Sequence, residues 1–477
     1  MFPSKLLNIR TMENSEKFFE ECFDTAINFG LIQNTNGRKK QNVVIRKNLV
    51  NVDGNVQYFG FINPIEAPSG PYSDFSLVFL PTGKEDIYVM SIGVGSEGFR
   101  NDYDLANTPG MRRLFINLLP ADETHHPFCK PKFVDIESPV DFSAIEEETN
   151  SNLDKYRTVL SIGCLINATN EDDIALVKAW IAQYAEIRKW ASTAKQRENI
   201  QKAINVVRGI HTTINNEKEV IKLLSNRRFV VLQGAPGTGK TYLAEKIGST
   251  YYSKVFFTQF HAETTFSDFV YGIFPKLESK NIEYEAKYGE LCEAIQYAND
   301  NKQKKVLLII DEINRANLAN VLGPVFYLFE PKRPFSNNSI RIGNRVISEV
   351  PKNLYVLATM NTADRNIAVV DFALRRRFAW YTLKPQYFSE SKNFIPEGKK
   401  LFEEIASIFE KYASDSELNL QPGGAYFMAE SVDELNQKIE YELMPLIKEY
   451  LEEGLIASSA GEFNDLFYRK IKKNLFQ

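Results

Sequence analysis

A chain of 477 residues with 44% hydrophobic and 25% charged side chains is ordinary globular composition, long enough for two to four domains. Its net charge of −4 argues against a broad nucleic-acid-binding surface, and its longest apolar runs, such as 306–310, are too short to span a bilayer. Four cysteines (Cys22, Cys129, Cys164, Cys292) without CxxC spacing, and an N-terminal stretch without the apolar segment of a secretory signal, predict a reduced, cytoplasmic setting with no membrane partner.

Residues 1–165 read as a separate α+β domain. SEKFFEECFDTAINFG (15–30) has amphipathic helical spacing and ends at Gly30, while FSLVFLP (75–81), DIYVMSIGVG (86–95) and TVLSIGCLI (158–166) have strand character. Over residues 1–170 there are 16 Lys+Arg and 22 Asp+Glu, so 16 − 22 = −6, and DNA contact there would have to be local, as through GRKKQNVVIRK (37–47). Tyr58, Phe59 and Phe61 could stack on a flipped base, but core aromatics on a strand explain them more simply. PTGK (81–84) lacks the rest of a phosphate loop, and HHPFC (125–129) lacks the second ligand pair of a metal site. Residues 171–208 carry helical periodicity without Gly or Pro and predict one long helix or two, within a helical linker over 166–222.

From 228 the pattern changes to short β-rich runs alternating with helices, the mark of an α/β domain with a mostly parallel sheet. FVVLQGAPGTGKTYLAEKIG (229–248) orders a strand, a glycine-rich turn and a helix. Gly234, Ala235, Pro236, Gly237, Thr238, Gly239, Lys240 and Thr241 fit GxxxxGK[ST] in full. Main-chain N–H groups and the helix's positive end would cradle phosphate, Lys240 would reach the β and γ phosphates, and Thr241 would ligate Mg2+. KKVLLIIDEINRAN (304–317) then gives a buried strand ending in two carboxylates, Asp311 for the Mg2+ and Glu312 to polarise the attacking water. EYEAK (283–287) contains Glu285 and Lys287 at nuclease-like spacing, but no matching Asp precedes them on a strand, and a hairpin within the α/β domain is expected.

A further buried strand, NLYVLATMNTAD (353–364), leads into Asn361, and ALRRRF (373–378) places Arg375, Arg376 and Arg377 before the next strand at Phe378. A cation supplied to the γ-phosphoryl would stabilise the charge of its transition state, and at least one of these arginines is expected to pair with an acidic neighbour instead.

GAPGTGKT, QFHAETTFSDFVYG (259–272), IIDEINRANLANVLG (309–323) and MNTADRNIAVVDFALRRRF (360–378) together resemble the McrB family, AAA+ GTPase motors of modification-dependent restriction systems. GGAYFM (423–428) and YELMPLIKEYL (441–451) are similar to that family's helical lid, so the resemblance covers roughly 225–455. It implies Asn361 as the sensor beside the γ-phosphate, Asp364 and Arg365 in a tract linked with guanine preference and partner coupling, Arg375 and Arg376 as interface arginines, and Arg315 in the NRAN segment. It also implies a hexamer engaging a McrC-like nuclease-bearing subunit. The chain departs from the family at Asn366, where Ser is usual, and at Gly424 and Ala425, where the lid usually carries a His; GTP and ATP both stay open as substrate.

The expectation is an α/β AAA+ P-loop core (223–385), a C-terminal helical lid (386–477) and a preceding α+β domain that senses DNA or another signal. A motor of a restriction or anti-phage system, itself not a nuclease, is the leading function. An ATP-driven, dynein-related protein-remodelling factor is the alternative, and a nucleotide-gated scaffold with little turnover is a third.

Overall fold

The computed structural model of the chain describes residues 3–33, 40–48, 58–67, 69–208, 215–276, 283–330, 339–363, 372–386 and 395–476. It comprises two compact units, Met1–Thr212 with Glu410–Ser414, and Thr213–Phe409 with Asp415–Gln477.

In the first unit, β1 (Val44–Asn48), β2 (Tyr58–Ile62), β3 (Phe75–Pro81), β4 (Ile87–Val94), β5 (Phe128–Cys129) and β6 (Leu160–Asn167) form one antiparallel sheet in the order β1-β2-β3-β4-β6-β5. Side chains alternate across it with the period of two that the pleat imposes. Phe75, Leu77 and Phe79 of β3 face one core with Tyr88, Met90 and Ile92 of β4, while Val78, Leu80 and Val89 face a second. Helices Pro3–Asn28, Glu171–Ile187 and Ala194–Arg208 close the first core with Phe18 and Cys22, Trp180 and Tyr184, and Ile200 and Ile204.

This corrects the expected boundary at 165 and the linker over 166–222. β6 runs through Asn167, and the two helices after it are walls of the first core rather than a tether. Phe59 and Phe61 are core residues at 0% and 1% exposure, so neither can stack on a base. One buried ion pair ties the Glu171–Ile187 helix to the sheet. Arg188, just past the helix, donates to both Asp102 carboxylate oxygens at 2.9 and 2.6 Å and to the Phe75 carbonyl at 2.6 Å. The paired geometry is what makes two buried charges tolerable.

The second unit has a five-stranded parallel sheet in the order β15-β7-β14-β11-β8. In chain order its elements are β7 (Phe229–Gly234), β8 (Lys254–Gln259), the hairpin β9 (Tyr271–Pro275) and β10 (Tyr284–Tyr288), β11 (Val306–Asp311), the ribbon β12 (Ile340–Ile342) and β13 (Arg345–Ile347), β14 (Leu354–Asn361), and β15 (Ala379–Thr382). EYEAK thus lies on the hairpin, where Lys287 pairs with Glu285 at 2.6 Å. Both faces of the central strands β7, β14 and β11 are buried, as is usual in a parallel sheet. Val306, Leu308 and Ile310 pack against helix Glu290–Asp300, and Leu307 and Ile309 pack with Val220 and Leu224 of helix Asn216–Arg227 and Ala244 and Ile247 of helix Lys240–Tyr251.

After β15, helices Pro396–Tyr412, Val432–Lys438, Met444–Glu452 and Ala460–Ile471 follow. Phe409 meets Phe463 edge to face at 5.8 Å, and Phe402 meets Phe427 at 5.2 Å. Ile439–Leu443 is a π-turn joining two of these helices. Pro445 lies just beyond it, where a missing N–H and a bulky ring oppose a regular α-turn.

The HHPFC stretch forms a turn with acidic contacts, and among the described residues no group of three His, Cys, Asp or Glu is arranged to hold a metal. His125 places Nδ1 2.6 Å from Asp122 and Nε2 3.0 Å from Asp173. Burial pulls its pKa down, but the two carboxylates outweigh that and hold it above the ordinary 6.5. Because the folded value is raised, the charged imidazole stabilises the fold fully below about pH 6.5, and the gain fades as pH rises through the folded value. His125→Gln should therefore lower the melting temperature at pH 5.5, with the gap to the native chain closing by pH 9; a gap that is constant with pH would contradict this.

Candidate functional site

The parallel sheet brings the C-terminal ends of β7, β8, β11 and β14 to one edge. Asn361 is in register with Gly234, and Asp311 with Gln259. The phosphate loop therefore turns beside Asn361, one strand away from Asp311.

The loop can turn because Gly237 and Gly239 take φ of 74° and 82°, a region L side chains rarely adopt. Gly239 is also the N-cap of the twelve-residue helix beginning at Lys240, with no side chain capping its first N–H groups. Those groups and the helix dipole point at the place a phosphate would occupy. Lys240 is buried, and its Nζ donates to the carbonyls of Gly234 at 3.0 Å and Ala235 at 2.9 Å. Thr238 is buried too, its hydroxyl on the Ala235 carbonyl at 2.9 Å.

Thr241 donates to Asp311 Oδ1 at 2.8 Å. A hydroxyl and a carboxylate meeting beside a phosphate cradle are hard oxygen donors suited to a Mg2+ that keeps its other positions for water and phosphate. Glu312 follows at φ 54°, a left-handed conformation that ends the strand. Arg315 lies 3.5 Å from the Glu312 carboxylate.

Two residues missed by the sequence reading hold this pair. Thr359 of β14 donates to Asp311 Oδ1 at 2.6 Å, and Gln259 donates to Oδ2 at 3.3 Å. The only sequence signal for Thr359 is a polar residue inside an apolar run, and that for Gln259 is its place at the head of QFHAETTFSDFVYG.

The arginines of ALRRRF divide. Arg377 is only 11% exposed, packs over the Phe326 ring at 4.1 Å and reaches Glu330 at 2.5 Å. Arg376 is 69% exposed and reaches the same Glu330 oxygen at 2.5 Å. Arg375 is exposed and sits over the Trp380 ring at 5.3 Å. Phe378 is buried between the helix Phe372–Arg377 and β15. Asp364, Arg365 and Asn366 lie outside the described residues.

GGAYF closes on the phosphate loop by main-chain bonds. Gly423 N donates to Pro236 O at 2.9 Å and Ala425 N to Gly237 O at 3.1 Å. Nearby, the Thr362 hydroxyl donates to Asn419 O at 2.8 Å. The approach is so close that a Cβ on Gly423 would lie 2.1 Å from the Gly237 carbonyl carbon.

Residues 229–378 match the AAA domain of the dynein-related subfamily. The chain is 31% identical over 281 residues to the type IV methyl-directed restriction enzyme EcoKMcrB subunit of Escherichia coli (strain K12), a match covering 53% of this chain and 59% of that one. It is 26% identical over 202 residues to the type II restriction enzyme BsuMI component YdiS of Bacillus subtilis (strain 168), covering 34% of this chain and 58% of that one. The chain thus spans under two thirds of the length of both curated relatives. It carries an AAA domain of the P-loop kind and resembles components of restriction enzymes.

The contact of Gly423 with the loop is testable by overpacking. Gly423→Ala should destabilise the second unit by about 1–3 kcal/mol, seen as an earlier transition in scanning calorimetry. Gly461→Ala, where an added Cβ meets nothing within 4 Å, should leave that transition unchanged or raise it slightly.

Proposed function

We propose, for a chain whose residues 229–378 are an AAA domain of the dynein-related subfamily, that it is a nucleoside-triphosphate-hydrolysing motor of a McrBC-like restriction or anti-phage system. The observation that carries this is the joint placement of Lys240, Thr241, Asp311 and Glu312 at one sheet edge, next to a sequence likeness to restriction-enzyme components.

In this reading an entering triphosphate takes Lys240 from its loop carbonyls, exchanging neutral acceptors for anionic ones. The main-chain N–H groups of 234–241 hold the phosphates. Mg2+, when bound, would be held by Thr241 and Asp311 and would neutralise charge on the β and γ phosphates. Glu312 accepts the proton of the attacking water, and Asn361 orients that water from the neighbouring strand. Arg375 and Arg376 act across a subunit boundary in a hexameric ring, whereas Arg377 is structural. The helices after β15 act as a lid over the loop. The first unit senses the target, by DNA contact or otherwise, and the ring regulates a nuclease-bearing partner. The acidic charge of −6 over 1–170 favours a second reading, a protein-remodelling motor, which DNA binding by the full chain would separate from the first.

The test is steady-state phosphate release with GTP and with ATP. Turnover of GTP alone supports the restriction GTPases, turnover of ATP alone the remodelling reading, and absence of both, even with nucleotide bound, counts against autonomous hydrolysis. Lys240→Ala should abolish turnover through lost binding. Glu312→Gln should keep binding and lower kcat by about 10²–10⁴-fold. Arg375→Ala or Arg376→Ala should lower kcat while leaving the melting temperature within a degree or two, and Arg377→Ala should lower the melting temperature first.

A further inference from the structure

Thr359 is fully buried on β14, two residues before Asn361, and has no role in the steps above. Its hydroxyl lies between two functional neighbours. Oγ1 is 2.6 Å from Asp311 Oδ1 and 3.0 Å from the main-chain N of Glu312. A hydroxyl carries one proton and two lone pairs, and an ionised carboxylate only accepts. The direction of the relay follows: Glu312 N–H donates to Thr359, and Thr359 donates to Asp311.

The backbone gives the reason. The ladder between β11 and β14 ends at Ile310 opposite Ala358. Glu312 then turns to a positive φ, and its N–H is met by a side chain of β14 rather than by a ladder carbonyl. A buried N–H left without an acceptor would cost enough to reshape the turn. Gln259 steadies the other carboxylate oxygen from β8, so Asp311 is held from both neighbouring strands.

We propose that Thr359 is a positioning residue for nucleotide hydrolysis. One hydroxyl sets both the direction of the Asp311 carboxylate and the backbone from which Glu312 projects. This rests on the hydrolytic reading of the site given above.

The substitutions Thr359→Val and Thr359→Ser separate this from packing. Val keeps the volume and β-branching and removes the hydroxyl; Ser keeps the hydroxyl and removes a methyl. A packing residue would tolerate Val better, and a positioning residue would tolerate Ser better. Three quantities are read on the full chain: the melting temperature, the affinity for a fluorescent nucleoside triphosphate in EDTA and in Mg2+, and kcat with KM. The Val variant should bind within about threefold of native in EDTA, lose about 10-fold of the Mg2+-dependent gain in affinity, and lose about 10–100-fold in kcat. Ser should recover most of both. A Val variant within threefold of native in Mg2+ gain and kcat overturns the proposal, as does a Ser variant impaired as much as Val. Should Val melt below the assay temperature, Thr359→Ala beside Thr359→Ser makes the same comparison, and equal impairment again overturns it. If the native chain hydrolyses neither nucleotide, the hydrolytic reading fails by itself, and the Mg2+ arm of the binding titration still decides whether Thr359 directs Asp311.

Discussion

Everything at the candidate site depends on one constraint: five strands of the second unit run parallel, so their C-terminal ends must share an edge. Four strands end at that edge in residues with polar or loop-forming chemistry, at Gly234, Gln259, Asp311 and Asn361. The interior of β7, β11 and β14 is almost wholly apolar and buried on both faces, whereas β8 at the sheet's edge is half-exposed. A one-residue slip of β11 against β14 would exchange the two faces of the strand and move Asp311 away from Thr359 and Thr241. Core packing and site geometry are therefore a single requirement, and the apolar run preceding the carboxylates is as much a part of the site as they are.

The backbone departs from regular geometry where the sheet gives way to the site. Gly237 and Gly239 use the left-handed region freely, whereas Glu312 enters it with a side chain, which costs of order 1–3 kcal/mol. The Thr359 hydroxyl accepting the Glu312 N–H is one of the contacts that over-determine this turn. Gly423 makes the complementary use of a missing side chain: its φ is ordinary, and what matters is the space a Cβ would need against Gly237.

How far the sequence could be read follows from how local each signal is. The phosphate loop and the Asp311-Glu312 pair were legible because spacing within a few residues forces their geometry. The strands of the first unit were legible from β-rich apolar runs, and the helices over 171–208 from their period. The sheet those helices cover was not, because periodicity names an apolar face without naming its partner; Trp180 and Tyr184 could as well have faced a neighbouring domain. Thr359 was invisible for a related reason. A β-branched residue within LYVLATM reads as strand filler, and only the register opposite β11 turns its hydroxyl into a contact. The division of the three arginines likewise depended on Phe326 and Glu330, some fifty residues upstream.

The π-turn at Ile439–Leu443 bears on how the last helices keep a common seam. Leu435, Ile439, Leu443 and Ile447 are all buried and recur every four residues. On a regular α-helix each step of four overshoots a full turn by about 40°, so three steps would carry the stripe roughly a third of the way around the helix. One widened turn absorbs an extra residue, about 100° of phase, and nearly cancels that drift. The sequence thus encodes a vernier: a spacing slightly too long for the helix, corrected once, beside a proline that opposes a tighter turn.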